Sequence, residues 1–157
     1  MTRRYLVICL VLTALACGPH EVDPTGTWRG DVKIKRPSTG NKALDAQFAE
    51  VDKKPVPYEL VLRPDKTYTE TVAIVHKIDG TWTFEGRNVV LTPLKVDGKK
   101  PAEVKESLEK LNSKLQISLP LPEGLYGPES ATLSDDHTTL MLPSVGTTAE
   151  LKKEPAK

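Results

Sequence analysis

Short stretches in which apolar and polar residues alternate recur along this chain, and they restrict its fold more than any other feature. In the first stretch Trp28, Gly30, Val32 and Ile34 fall on one face and polar residues fall on the other. Residues 58–63 repeat the pattern. Alternation with a period of two is typical of a β-strand that buries one face. We therefore expect a sheet whose inner face is apolar.

Turn signals separate the next stretches of the chain. Pro64-Asp65-Lys66 predicts a turn, because proline presets the first turn dihedral. Residues 67–78 are rich in the threonine, valine, isoleucine and tyrosine that favour strands. Asp79-Gly80 then predicts a two-residue hairpin. The following strand places Trp82 and Phe84 on one face.

Together these stretches predict a four-stranded antiparallel meander. Its last strand covers residues 89–91, and Asp97-Gly98 ends it. Residues 131–142 predict a further hairpin with its turn at 134–137, and residues 149–152 are expected to close the sheet.

Two segments have the period of a helix. Asn41 is expected to cap a short helix in which Leu44, Phe48 and Val51 share a face. Pro101 is suited to the first turn of a second helix.

The second helix carries an apolar stripe, which we expect to pack on the sheet. Its members are Val104, Leu108, Leu111 and Leu115. The alternation of Leu115, Ile117 and Leu119 leaves open a strand at the same place.

These elements predict a mainly β fold with one or two short helices, in which an antiparallel meander curls into a barrel or half-barrel. Curling removes the exposed strand edges on which chains aggregate. The domain is expected to cover residues 25–152, and residues 153–157 to form a flexible tail.

Three short motifs resemble the lipocalins and lipocalin-like lipoproteins of bacteria. They are Asp23-x-x-Gly26-x-Trp28, Lys66-Thr67-Tyr68 and Gly80-Thr81-Trp82. The resemblance implies a lipocalin-like barrel that Trp28 plugs at one end and that holds a small apolar ligand. Four aromatic residues are the candidates to line such a pocket: Trp28, Tyr68, Trp82 and Phe84. Filling a solid core is the alternative role for them.

The first sixteen residues predict a secretory signal peptide. Arg3 and Arg4 precede an apolar run over residues 5–12, and small residues follow at Ala14 and Ala16. The run is shorter than the roughly 20 apolar residues that span a bilayer.

Residues 12–17 resemble the lipobox of bacterial lipoproteins, although Ala14 stands where that family usually has leucine. The resemblance implies cleavage before Cys17, a lipid on its sulphur, and a lipidated tether over residues 17–24. The protein is then expected in the cell envelope, with the membrane as a partner through its anchor. Gly18 favours the outer membrane if the cell has one.

Cysteine and charge exclude several classes of function. Cys9 leaves with the signal and Cys17 is committed to lipid, so the domain has no thiol for a disulfide, a metal site or a nucleophile. Without the two signal arginines, 20 basic and 21 acidic side chains remain. This balance gives no electrostatic reason to expect a nucleic acid partner.

The sequence contains no recognisable catalytic constellation, and we expect neither an enzyme nor a cofactor. The three histidines have no ligand spacing, and the group Asp135, Asp136 and His137 is better explained as a hairpin turn than as a metal site. Glu59 and Glu70 are the remaining candidates for an acid–base pair. Glu70 is the odder of the two, because alternation places it on the apolar face.

Two functions remain as hypotheses. The first is a membrane-anchored module that binds a small apolar ligand in its barrel. The alternative is a structural or interaction lipoprotein of the envelope with a solid core and a protein partner.

Overall fold

The structure is a computed structural model that describes residues 22–32, 38–72, 76–116, 123–144 and 147–155. The signal peptide, Cys17 and most of the tether lie outside these ranges, as does Ile34. The strands are β1 (Gly26–Val32), β2 (Val56–Leu62), β3 (Thr67–Val72), β4 (His76–Glu85), β5 (Asn88–Val96), β6 (Glu129–Leu133), β7 (Thr139–Ser144) and β8 (Thr147–Lys153). The helices are α1 (Lys42–Asp52) and α2 (Pro101–Leu115), and a single 3₁₀ turn covers Glu123–Leu125.

The eight strands form one closed antiparallel barrel in the order of the sequence. Closure comes from β8, whose Lys153 and Lys152 pair with Trp28 and Arg29 of β1. The predicted mainly β fold is therefore confirmed, and the sheet is a full barrel rather than a half-barrel. No helix within the described ranges has the length and apolar character needed to cross a bilayer.

Alternation along the strands produces the core. Inward residues such as Leu60 and Leu62 are at most 1% exposed, whereas the outward residues Glu59 and Val61, which alternate with them, are partly exposed. The fully buried apolar side chains of the described chain form one cluster inside the barrel: Trp28, Val32, Tyr58, Leu60, Leu62, Tyr68, Ile78, Trp82, Val89, Leu91, Val96, Ala131, Leu133, Leu140, Leu142, Ala149 and Leu151.

The expected hairpin turn at Asp79-Gly80 is wrong, because both residues lie inside β4. Gly80 pairs with Tyr68 of β3, and the register shifts between Asp79 and Gly80. A Cβ atom on Gly80 would lie 2.5 Å from Cε1 of the Tyr68 ring and 2.2 Å from the Thr92 carbonyl oxygen. The glycine therefore makes room for the aromatic ring. The expected single strand over 67–78 is divided between β3 and β4.

Asp97-Gly98 does form the expected turn at the end of the meander. Both residues have positive φ, 51° and 79°, as a two-residue turn of type I′ requires. Val96 and Lys99 exchange backbone hydrogen bonds of 2.9 and 3.0 Å across it.

Both helices begin where the sequence predicts. The Asn41 side-chain oxygen accepts hydrogen bonds from the backbone N–H groups of Ala43 and Leu44, at 3.0 and 3.3 Å. Pro101 is the first residue of α2, and the helix ends at Leu115, before Gln116 with a φ of 53°. The alternative of a strand over Leu115, Ile117 and Leu119 is therefore wrong at Leu115. Ile117 and Leu119 lie outside the described residues.

The expected packing of the α2 stripe holds only for its first half. Val104 packs against the core, and Leu108 is partly buried. Leu111 and Leu115 are 47% and 48% exposed, and α2 has no buried residue. The helix contacts β5 and the 3₁₀ turn at one end of the barrel, and its two exposed leucines lie in its C-terminal half.

The barrel has two unlike ends, which we name for use below. The tether end is where β1 begins and where β2 turns into β3; the helical end is where the connections containing α1 and α2 leave the sheet. Ordered contacts at the tether end continue past the expected domain boundary at 152. Lys153 belongs to β8, and the Glu154 backbone N–H donates to the Thr27 carbonyl at 2.8 Å.

Candidate functional site

Two tryptophans close the tether end of the barrel in the same way. The indole N–H of Trp28 donates to the Pro24 carbonyl at 2.9 Å, and that of Trp82 donates to the Arg63 carbonyl at 3.0 Å. A lysine ammonium lies over each ring, 5.4 Å from the Trp28 centroid and 4.0 Å from the Trp82 centroid; these are Lys153 and Lys66. Both indole rings are thus fixed to backbone carbonyls at the tether end.

The four candidate pocket residues lie in or against the packed core. Trp28 is 0% exposed, and Tyr68 and Trp82 are each 1% exposed. Phe84 is partly buried and packs against the same core. Because protein atoms enclose these three rings almost completely, there is no open space beside them for a ligand.

A cleft of about 440 Å³ lies between β1 and β2. Most of its lining side chains, including Arg29, Asp31 and Glu59, come from the outward positions of these strands. Arg29 donates to Glu59 at 2.6 Å and to Glu154 at 2.5 Å. The charges on this outer surface are therefore largely engaged with one another.

Glu70 is the unusual residue of the interior. It is 6% exposed and lies on β3 between Leu60 of β2 and Ile78 of β4. Burial raises the pKa of its carboxyl group to about 7, against the opposing effect of a hydrogen bond from the Tyr58 hydroxyl. Burial raises the pKa of Tyr58 in turn, and the nearby charge of Glu70 raises it further.

A second carboxylate lies near this pair, towards the helical end. Glu129, at the start of β6, is near enough for its charge to raise the pKa values of Tyr58 and Tyr68, after burial and Glu70. Its carboxylate lies against Gly124 of the 3₁₀ turn, where an added Cβ would be 2.1 Å from Oε2. The Tyr126 hydroxyl is buried and has no hydrogen-bond partner within the described chain.

The structure separates the other candidates that the sequence suggested. Glu59 faces outward to Arg29 while Glu70 faces inward, so the two carboxyl groups do not form an acid–base pair. His76 is exposed, with Nδ1 2.9 Å from an Asp97 carboxylate oxygen.

The hairpin tip at 134–137 is held by its own side chains. Asp136 accepts hydrogen bonds from the Ser134 hydroxyl at 2.5 Å and from the Thr138 hydroxyl at 2.8 Å. These bonds lower the pKa of Asp136 to about 2. Asp135 pairs with Arg87 at 2.5 Å. Within the described ranges no three histidine, cysteine or acidic residues converge on a metal position.

Sequence reasoning identified Glu70 as a misfit but missed its neighbours. Tyr58 lay on the predicted inner face, yet nothing local showed that its hydroxyl reaches the next strand. Glu129 follows a proline–glycine loop, where an acidic residue is ordinary. The cluster depends on the register between strands, which the sequence pattern does not give. Cys17, the expected lipid attachment site, lies outside the described residues.

Comparisons with protein families, with curated proteins and with solved structures found no match for this chain.

Proposed function

We propose that this protein is a non-enzymatic lipoprotein of the cell envelope that binds a protein partner and is held at the membrane by a lipid on Cys17. The filled interior of the barrel carries the proposal. Pockets for small ligands usually enclose about 300–1,000 Å³. Here the positions suggested for such a pocket are taken by rings at most 1% exposed, those of Trp28, Tyr68 and Trp82.

The position of the tether supports an orientation for the anchored domain. Cys17 precedes Val22 by five residues, which span at most about 18 Å when fully extended. Val22 packs against the core, and Lys153 Nζ donates to the Asp23 carbonyl at 2.9 Å. A lipid on Cys17 would therefore keep the tether end near the bilayer and turn the helical end away from it.

The helical end carries the surface suited to a partner. Leu111 and Leu115 of α2 are half exposed, and Leu94 on β5, the strand that α2 contacts, is 56% exposed. Large exposed apolar side chains that lie close together mark protein interaction sites more often than scattered ones do. We assign the apolar surface of α2, formed by Leu111 and Leu115, to the protein partner.

A photo-crosslinking amino acid at position 111 tests the partner surface in intact cells. We expect one defined protein adduct from position 111, and its loss when Leu115→Asp is added. Ser113 is exposed on the opposite side of α2 and is the matched control position. Equal adducts from positions 111 and 113 would contradict the assignment.

Organic extraction of the purified protein followed by mass spectrometry tests the solid core. We expect no bound small molecule beyond the lipid on Cys17. A stoichiometric apolar compound that persists in Cys17→Ser would support the ligand-binding function instead.

Incorporation of labelled palmitate tests the anchor separately. We expect labelling of the natural protein and none of Cys17→Ser. Equal labelling of the two would refute lipidation at this cysteine and leave the partner surface to be judged by crosslinking alone.

A further inference from the structure

Within the described ranges, almost nothing is placed to stabilise the charged form of Glu70. Among the fully buried residues of the described chain, the other polar one is Thr39, which belongs to the α1 connection. The carboxyl group receives one side-chain hydrogen bond, from Tyr58. Removing a carboxylate from water without a cationic partner is costly, so burial favours the neutral acid.

The groups that face Glu70 from the described part of the chain add no positive charge. They are Tyr58 from β2, Tyr68 from β3 itself and Glu129 from β6. The buried inward positions of the remaining strands hold apolar residues and glycine: Trp28 and Val32 on β1; Ile78, Gly80 and Trp82 on β4; Val89, Leu91, Pro93 and Val96 on β5; Leu140 and Leu142 on β7; Ala149 and Leu151 on β8. No lysine, arginine or histidine of the described strands is buried.

The two ends of the barrel are covered by different elements. The tether end is closed by the Trp28 and Trp82 rings, both hydrogen-bonded to backbone carbonyls. The helical end is covered by Val104 of α2 and Leu125 of the 3₁₀ turn, each only partly buried. Elements with few buried contacts open at the lowest free energy.

We propose that Glu70 is a proton-dependent switch of the barrel: while its carboxyl group is protonated the helical end stays shut, and loss of the proton favours opening of that end and entry of water. The charge then becomes hydrated without unfolding the tether end. The titration of Glu70 near pH 7 places this change in the range of ordinary external conditions.

Hydrogen–deuterium exchange of the natural full-length protein tests the proposal between pH 5 and pH 9, after correction for the intrinsic exchange rate. The helical end is reported by the hydrogen-bonded amides of Val96 and Asp97, and the tether end by those of Trp82 and Leu133. We expect the protection of Val96 and Asp97 to fall as the pH rises towards 7, by up to tenfold per pH unit. Above pH 7 it should level off. Protection of Trp82 and Leu133 should follow global unfolding, so their free energy of exchange should stay higher than that of Val96 and Asp97 at every pH.

Three variants identify the responsible group. Glu70→Gln keeps a neutral hydrogen-bonding side chain and should make protection at the helical end independent of pH. Glu59→Gln removes an outward carboxylate from the adjacent strand and should behave like the natural protein. Tyr58→Phe removes the hydroxyl that stabilises the carboxylate, so the levelling-off should move to higher pH; this variant decides the matter if Glu70→Gln does not fold. Protection that is independent of pH in the natural protein, or the same free energy of exchange at both ends, would overturn the proposal.

Discussion

At the scale of single residues, Glu70 shows which features the sequence pattern predicts and which it does not. Strict alternation along 58–63 and 67–72 predicted which side chains point inward, because that pattern is local. It also placed Glu70 on the inner face. Whether that position is a barrel mouth, a bulge or a buried site depends on the opposing strands, and these are distant in sequence.

The buried carboxyl group predicts a characteristic dependence of global stability on pH. Its pKa in the folded protein is about 7, above the ordinary value of 4.5, so between these values the folded state binds more protons. The free energy of unfolding therefore falls as pH rises from about 4.5 to 7, by roughly 3 kcal/mol in total. Urea unfolding at pH 5 and pH 8 measures the fall.

Glu70→Gln should abolish this fall, and Glu59→Gln should preserve it. The carboxylates whose pKa values are lowered, such as Asp65 and Asp136, act in the opposite direction and at pH values below about 4. They therefore do not mask the fall in the free energy of unfolding that Glu70 causes between about pH 4.5 and 7. The same pH dependence in Glu70→Gln as in the natural protein would show that another group is responsible.

Gly80 predicts a second effect at this scale. Gly80→Ala would place a methyl group 2.2 Å from the Thr92 carbonyl oxygen and 2.5 Å from the Tyr68 ring, so a strand must move. We expect a loss of about 1–3 kcal/mol in the free energy of unfolding, measured with urea. Thr81→Ala, at the exposed neighbouring position, should change it by less than about 0.5 kcal/mol. Equal effects of the two changes would contradict this account.

At the scale of elements, two identical dipeptides have different roles. Asp97-Gly98 is a turn, whereas Asp79-Gly80 is the middle of a strand. Local propensity is the same for both. The difference lies in Tyr68, which pairs with Gly80 and needs the missing side chain. Strand existence was thus predictable from the sequence, but this boundary depended on a contact with another strand.

Helix α2 illustrates a similar limit, and it predicts an unequal response to substitution. Leu111→Ser and Leu115→Ser should each lower the free energy of unfolding by less than about 0.5 kcal/mol, because both side chains are half exposed. Val104→Ala removes core contacts and should cost about 1 kcal/mol. Thermal unfolding of the three variants measures this, and a larger loss at Leu111 than at Val104 would show that the apolar surface is buried in the free protein.

At the scale of the whole molecule, closure of the barrel was the feature that the sequence left open between two outcomes. It depends on β8 reaching β1 across more than 100 residues of chain. The last residues take part in this: Lys153 lies over Trp28, and Glu154 bonds to Thr27 and Arg29. The sequence pattern ended the domain at 152 because the charged end resembles a tail.

Shortening the chain tests the contribution of closure. A protein ending at Leu151 loses both β1 pairs of β8 and the Glu154 contacts, and we expect its Tm to fall by roughly 10 °C. A protein ending at Pro155 keeps them and should melt like the natural chain. Identical melting of the two shortened proteins would show that the barrel does not depend on this closure.

The placement of the two indoles has a practical consequence for spectroscopy. Both tryptophans of the chain lie at the tether end of the barrel, beneath Lys66 and Lys153, and the helical end has none. Tryptophan fluorescence therefore reports structural changes at this end of the molecule. An event confined to the helical end leaves the fluorescence spectrum almost unchanged, and becomes visible once a reporter such as a third indole is introduced there.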